Sequence, residues 1–144
     1  MKSTKMMLIA LIIATTISTI LPSCKKGDDD PIVSLRTRKD RFTNTWTLVK
    51  LEKNGVSQDL NGATYIYNAF NSGNLNRTVE GSIFGYPVRV VSDGTWSFLN
   101  DDEDVKIIIS KDTTIYNIQR LANKELWLKW VDNGDTYFYY FEGL

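Results

Sequence analysis

The 144-residue chain has no histidine and only one cysteine, and neither charge is in excess, with 17 Lys and Arg set against 17 Asp and Glu. Without histidine there is no Ser–His or Cys–His dyad to activate a nucleophile. A lone cysteine, Cys24, excludes an intramolecular disulfide and a cysteine-based zinc cluster. Charge neutrality removes the electrostatic footprint of nucleic-acid binding. General acid–base work would then fall to carboxylates, lysine or tyrosine. Most carboxylates lie in turn and tether stretches, and Glu52, Glu80 and Glu125, in or near strands, have no spacing that pairs them. The acidic run Asp101 to Asp104 lacks the spaced ligands and central glycine of an EF-hand loop and reads as a solvated hairpin loop. These absences point away from an enzyme and imply no metal and no cofactor.

Cys24 takes its meaning from what precedes it. Lys2 and Lys5 lead into an uncharged, largely apolar stretch from Met6 to Leu21, too short for a comfortable membrane span and ordered like a secretion signal. The stretch closes on Leu21-Pro22-Ser23-Cys24, which resembles a bacterial lipobox: an aliphatic residue, a small residue just before the cysteine, then the cysteine itself. The resemblance implies that residues 1–23 are a signal peptide removed on export, and that Cys24 is lipidated on sulfur and becomes the new N-terminus. Acyl chains add about 0.8 kcal/mol per buried CH2, so such a group is a durable membrane anchor. An uncleaved anchor, or an ordinary signal with a coincidental cysteine, is the alternative.

Losing Lys2 and Lys5 leaves 15 basic side chains against 17 acidic, a balance of −2. Residues 24–31 form a charged tether, expected to stay extended and solvated. Within it Lys25, Lys26 and Asp28 to Asp30 resemble the signals that follow the lipidated cysteine in surface-exposed lipoproteins of Bacteroidota. That resemblance implies an outer-membrane protein facing outward; a plain spacer is the other reading.

Residues 32–144 read as one all-β domain. Short stretches rich in β-branched and aromatic residues alternate with turn signals at Asn54-Gly55, Asn71 to Asn74, Asp93-Gly94, Ala122-Asn123 and Asp132 to Asp135, giving eight or nine strands joined mostly by tight turns. Pro87 removes a ladder donor and marks a strand start or an edge. Such an antiparallel up-and-down meander either closes into a barrel or leaves edges to protect, and closure is the simpler solution. A short N-terminal helix is expected within residues 32–42, with Val33, Leu35 and Phe42 packed on a barrel end and the arginines solvated.

The stretches "NTWTLVKLEKNG", "DGTWSFLNDDEDVKIII" and "IQRLANKELWLKWVDNGDTYFYYF" resemble the lipocalin-like domains of Bacteroidota lipoproteins, with Asn44 standing where lipocalins carry a glycine two residues before the first-strand tryptophan. The resemblance implies an eight- or nine-stranded barrel with an interior site. It also implies that Arg120 stacks over Trp46 to close one barrel end.

Period-two alternation assigns the strand faces independently. Trp96 and Phe98 share a face, as do Val105, Ile107 and Ile109; Leu126, Leu128 and Trp130; and Tyr137, Tyr139 and Phe141. A cavity walled by Tyr65, Tyr67, Trp96, Phe98, Leu128 and Trp130 would take a small hydrophobic or amphiphilic ligand. A barrel packed solid by the same rings is the competing reading, and would leave the outward Trp127, Phe138 and Tyr140 to contact a protein or glycan partner. Asp112-Thr113-Thr114 resembles the O-glycosylation acceptor used in Bacteroidota, with Thr113 as the acceptor, on an expected hairpin loop.

Overall fold

The computed structural model describes residues 30–31 and 35–144. The signal peptide, Cys24, most of the tether, and Ile32 to Ser34 lie outside the described residues. Among those described, one short helix, α1 (Arg38–Phe42), is followed by nine strands: β1 (Thr45–Lys53), β2 (Val56–Gln58), β3 (Thr64–Ala69), β4 (Asn74–Ile83), β5 (Tyr86–Leu99), β6 (Asp104–Ile109), β7 (Asp112–Leu121), β8 (Glu125–Asp132) and β9 (Asp135–Gly143). All pairings are antiparallel; β1 pairs with β3, the strands from β3 to β9 pair in sequence, and β9 returns to pair with β1, closing an eight-stranded barrel to which β2 adds a short flap on the end of β1. The all-β meander and its closure are thus as expected.

The turns show why this sequence makes hairpins. Asn54-Gly55 and Asn133-Gly134 both take positive φ at each position, the geometry that matches the strand twist and that Asn-Gly adopts at little cost. The β4–β5 turn is different, because Phe84 holds φ +51° beside Gly85 at +83°. A bulky side chain rarely sits in that region, and Phe84 is 97% exposed.

Asp93-Gly94 is not a turn. β5 runs straight through it, and β4 pairs with it from Ile83↔Tyr86 to Asn74↔Thr95. Gly94 is needed for close approach instead: a Cβ there would overlap the Ile108 carbonyl oxygen on β6. We expect Gly94→Ala to push β5 from β6 and cost about 2 kcal/mol, the usual range for forced overpacking. Urea denaturation would show this as a lower midpoint with an unchanged slope.

One barrel end, the floor, is closed. Phe42 is buried and packs its ring on Trp96 at 4.5 Å and Phe98 at 5.5 Å between centroids. The Trp46 indole N–H donates to the Phe42 carbonyl at 2.8 Å, satisfying a polar atom that would otherwise be stranded in the core. α1 is shorter than expected, because Thr37 is its N-cap and accepts from the Asp40 N–H at 3.1 Å. Leu35 lies before that cap and is fully exposed rather than packed.

Arg36 is exposed as expected, but the other two arginines of this stretch are not solvated. Arg38 and Arg41 are buried, and Arg38 forms an ion pair with Asp30, whose other oxygen accepts the Leu121 N–H at 2.6 Å. Asp30, expected in the solvated tether, is therefore part of the floor. Asn44 also ties this end together. Its side-chain nitrogen donates to the Asn123 and Leu144 carbonyls, both at 3.3 Å, and its oxygen accepts the Thr45 N–H.

Candidate functional site

Above the floor, the barrel axis is filled by side chains that alternate inward along the strands: Leu48, Leu75, Val105, Ile107, Ile118, Leu121, Leu126, Leu128 and Phe141 are all buried. Tyr67, Tyr116 and Tyr139 sit over them, packed against the core. The free space among these groups is about 10 Å3, room for a single water at most. The apolar cavity expected from the sequence is therefore closed. Trp96 and Phe98 face Phe42, which occupies the volume they would have lined, and Leu128 is a core residue.

The other expected wall residues lie higher. Tyr67 and Tyr65 point inward from β3, paired with Arg77 and Val79 of β4. Trp130 stands near the opposite end of the barrel, the mouth, with its ring 5.1 Å from that of Tyr137. Tyr67 is brought together with Arg77, Thr114, Tyr116, Ser110 and Asp112 around a polar cup of about 90 Å3. Outside it, β7 and β8 pair only from Asn117↔Lys129 toward the floor. Nearer the mouth the two strands border an open slot of about 570 Å3, flanked by Thr114, Ile115, Trp130 and Val131. Thr114 lines both spaces and stands between cup and slot.

The electrostatics of the cup follow from burial. Desolvation raises the Tyr67 phenol above its ordinary value, opposed in part by the Arg77 guanidinium, which also hydrogen-bonds it. Burial raises Tyr116 further still, and raises Tyr139 to about 12. All three are neutral donors at ordinary pH. A free phenol titrates near 10, so as pH climbs past that value the unfolded chain releases these protons while the folded barrel retains them. Stability contributed by the phenols is complete below about pH 10 and lost as pH rises through the folded values. We expect alkaline unfolding to begin there, with late tyrosinate absorbance, and Tyr116→Phe to delay it; absorbance and circular dichroism across an alkaline titration would check this.

Arg120 does not reach Trp46. A bulge between Ile118 and Arg120 shifts the register, so that Ile118 and Leu121 both face the core and Arg120 pairs with Trp127 on the outer face. Its guanidinium lies 5.3 Å from the Trp127 ring and bridges Glu125 at 2.6 Å. Trp46 is instead closed over by Phe42 and by Gly143, where a Cβ would approach the indole to 2.8 Å. On the same outer face, Tyr140 donates to Glu52 and lies 5.1 Å from the Lys50 ammonium, and Lys129 lies 5.9 Å from the Phe138 ring. The outward rings are thus partnered by charged neighbours. Thr113 is exposed in β7, one residue beyond its start rather than in the turn.

Arg77, Thr114 and Tyr116 were not singled out from the sequence. The signal was alternation carried one step further, since Arg77 shares a face with Leu75 and Tyr116 with Ile118.

No family model matches the chain, and no curated protein matches it. Among solved structures, the complex of bovine odorant binding protein with a selenium-containing odorant is similar at a TM-score of 0.46, with 12% identity over 78% of this chain and 76% of that chain.

Proposed function

We propose that the protein is an exported lipoprotein, held on the outer membrane through lipid on Cys24 and facing outward, whose barrel is a non-catalytic binder of a small amphiphilic molecule. The ligand sits at the mouth and not in the barrel axis. The observation that carries this reading is the junction at Thr114 between a polar cup and an open slot flanked by Trp130, Ile115 and Val131. A polar head fits the first and an apolar body lies along the second, the usual division of a small-molecule site. The anchoring half rests on the Leu21-Pro22-Ser23-Cys24 pattern; Asp30, which accepts the Leu121 N–H, belongs to the floor, the end opposite the mouth.

Native mass spectrometry of the full chain after exposure to an envelope lipid and metabolite extract tests the binding half. A bound mass that disappears in Trp130→Ala, with the fold intact by circular dichroism, supports it; a mass that survives Trp130→Ala overturns the slot. Labelling with radioactive palmitate in a bacterial host, lost in Cys24→Ser, tests the anchor.

A second reading, an interaction module, is favoured by one observation. The β4–β5 hairpin continues past the last β6 partner of β5 and ends in Ile83, Phe84 and Tyr86, all well exposed. Phe84→Asn would relieve the turn and remove the apolar tip, and loss of a partner in a pull-down without loss of fold would support that role.

A further inference from the structure

We infer that the cup is an anion subsite, holding the monoanionic carboxylate head of the ligand with Arg77 as its charge partner and the cup hydroxyls as neutral donors. This rests on the mouth-binding reading and names its chemistry.

The guanidinium is the observation that carries it. Arg77 is half-buried, and its Nε is buried with no acceptor in reach among the described residues. Nor does any described carboxylate form an ion pair with it, unlike Arg38, Arg89 and Arg120. A buried N–H left unpaired costs about 1–3 kcal/mol, and more when the group is charged. A carboxylate arriving in the cup, which Arg77 lines, would give the guanidinium the charge partner it lacks, and its two oxygens match the guanidinium fork.

The surroundings choose among anions. The hydroxyls of Tyr67, Tyr116 and Thr114 border the same space, and burial keeps the two phenols protonated, so they donate rather than repel. Asp112 stands on the rim of the cup. One guanidinium facing one rim carboxylate offers little to a doubly charged phosphate monoester and suits a single negative charge. Size sets a further limit. Beneath the cup only about 10 Å3 is free, so the body of the ligand cannot descend the barrel axis, and the slot on the other side of Thr114 is the neighbouring space that can take it. The chemistry is thus a small carboxylic acid with an apolar group, bound head inward and body beside Trp130.

The test uses the full chain in a non-ionic detergent, with benzoate, its neutral isostere benzamide, and inorganic phosphate as probes, read by the Arg77 Nε–Hε and Trp130 indole NMR signals. Benzoate is expected to shift both signals and to bind about tenfold tighter than benzamide, the value of one charge-assisted hydrogen bond. Arg77→Gln should abolish that ratio and Arg77→Lys should retain part of it, while Tyr116→Phe should weaken benzoate about threefold, the loss of a neutral donor. Equal binding of benzoate and benzamide, or a ratio unchanged in Arg77→Gln, overturns the anion subsite and leaves the mouth-binding reading standing. Tighter binding of phosphate than of benzoate overturns the monoanion. If no probe moves either signal, both readings fail together. Should Arg77→Gln not fold, the ratio in the unmodified chain and in Arg77→Lys decides.

Discussion

Trp46→Ala is expected to destabilise the barrel by about 4 kcal/mol, a large share of the roughly 5–15 kcal/mol that holds a domain of this size folded. The indole is 1% exposed and cannot be replaced by rearrangement of its neighbours. Gly143 across the strand has no side chain to move in, and its partner on the other side, Tyr67, is anchored above it in the cup. The substitution also strands the Phe42 carbonyl that the indole N–H now satisfies, adding a polar cost to the cavity cost. Trp46→Phe separates the two, since it keeps most of the volume and loses the donor. A drop of about 1–2 kcal/mol for Phe against about 4 for Ala would match that division, measured by urea denaturation at constant slope. Equal and small losses for both would show that the floor repacks freely. Ligand binding at the mouth should survive Trp46→Phe, because the phenyl ring keeps most of the volume beside Tyr67, the cup residue that Trp46 pairs with.

Trp46 was legible from the sequence, and so was most of the barrel, because alternation is a local property. Trp96, Ile107, Leu128 and Phe141 each face inward as period two requires. What was not legible depends on contacts far away in the chain. Asp93-Gly94 has turn chemistry, yet Gly94 is needed for the approach of Ile108 on another strand. Arg120 has the parity of an inward residue counted from Ile118, and the bulge between them reverses it.

The candidate site divides in the same way. Tyr65, Tyr67 and Trp130 could be placed on inward faces, but the closure of the cavity could not, because the plug is Phe42, a helix residue whose partners Trp96 and Phe98 lie more than fifty positions on. Arg77 lies in a strand of mostly polar residues; alternation from Leu75 puts it on the inward face, but only the register with Tyr67 makes it the wall of a cup.

The second large effect concerns the other misplaced charges. Asp30→Ala is expected to cost about 3–5 kcal/mol, because it leaves the Arg38 guanidinium buried and without its carboxylate. The same change deprives the Leu121 N–H of its acceptor at a point where β7 closes the floor. The burial of Arg38 works against its charge: desolvation lowers its pKa, and the Asp30 carboxylate offsets only part of that fall. The pair is therefore a requirement each partner imposes on the other and a poor source of net stability.

A double variant exposes the difference. Asp30→Asn with Arg38→Met removes both charges, keeps an acceptor for the Leu121 N–H, and fills similar volume, so it should lie within about 1 kcal/mol of the unmodified protein. Asp30→Asn alone should fall between, since it keeps the acceptor and strands the charge. Thermal denaturation of the unmodified protein, Asp30→Asn, Arg38→Met and the double variant forms a cycle whose coupling measures the pair. A double variant as unstable as Asp30→Ala would mean that the ion pair itself holds residue 30 against the barrel floor. Recovery would mean that the acceptor for Leu121 does so, and that the floor could carry an apolar pair in place of its buried charges.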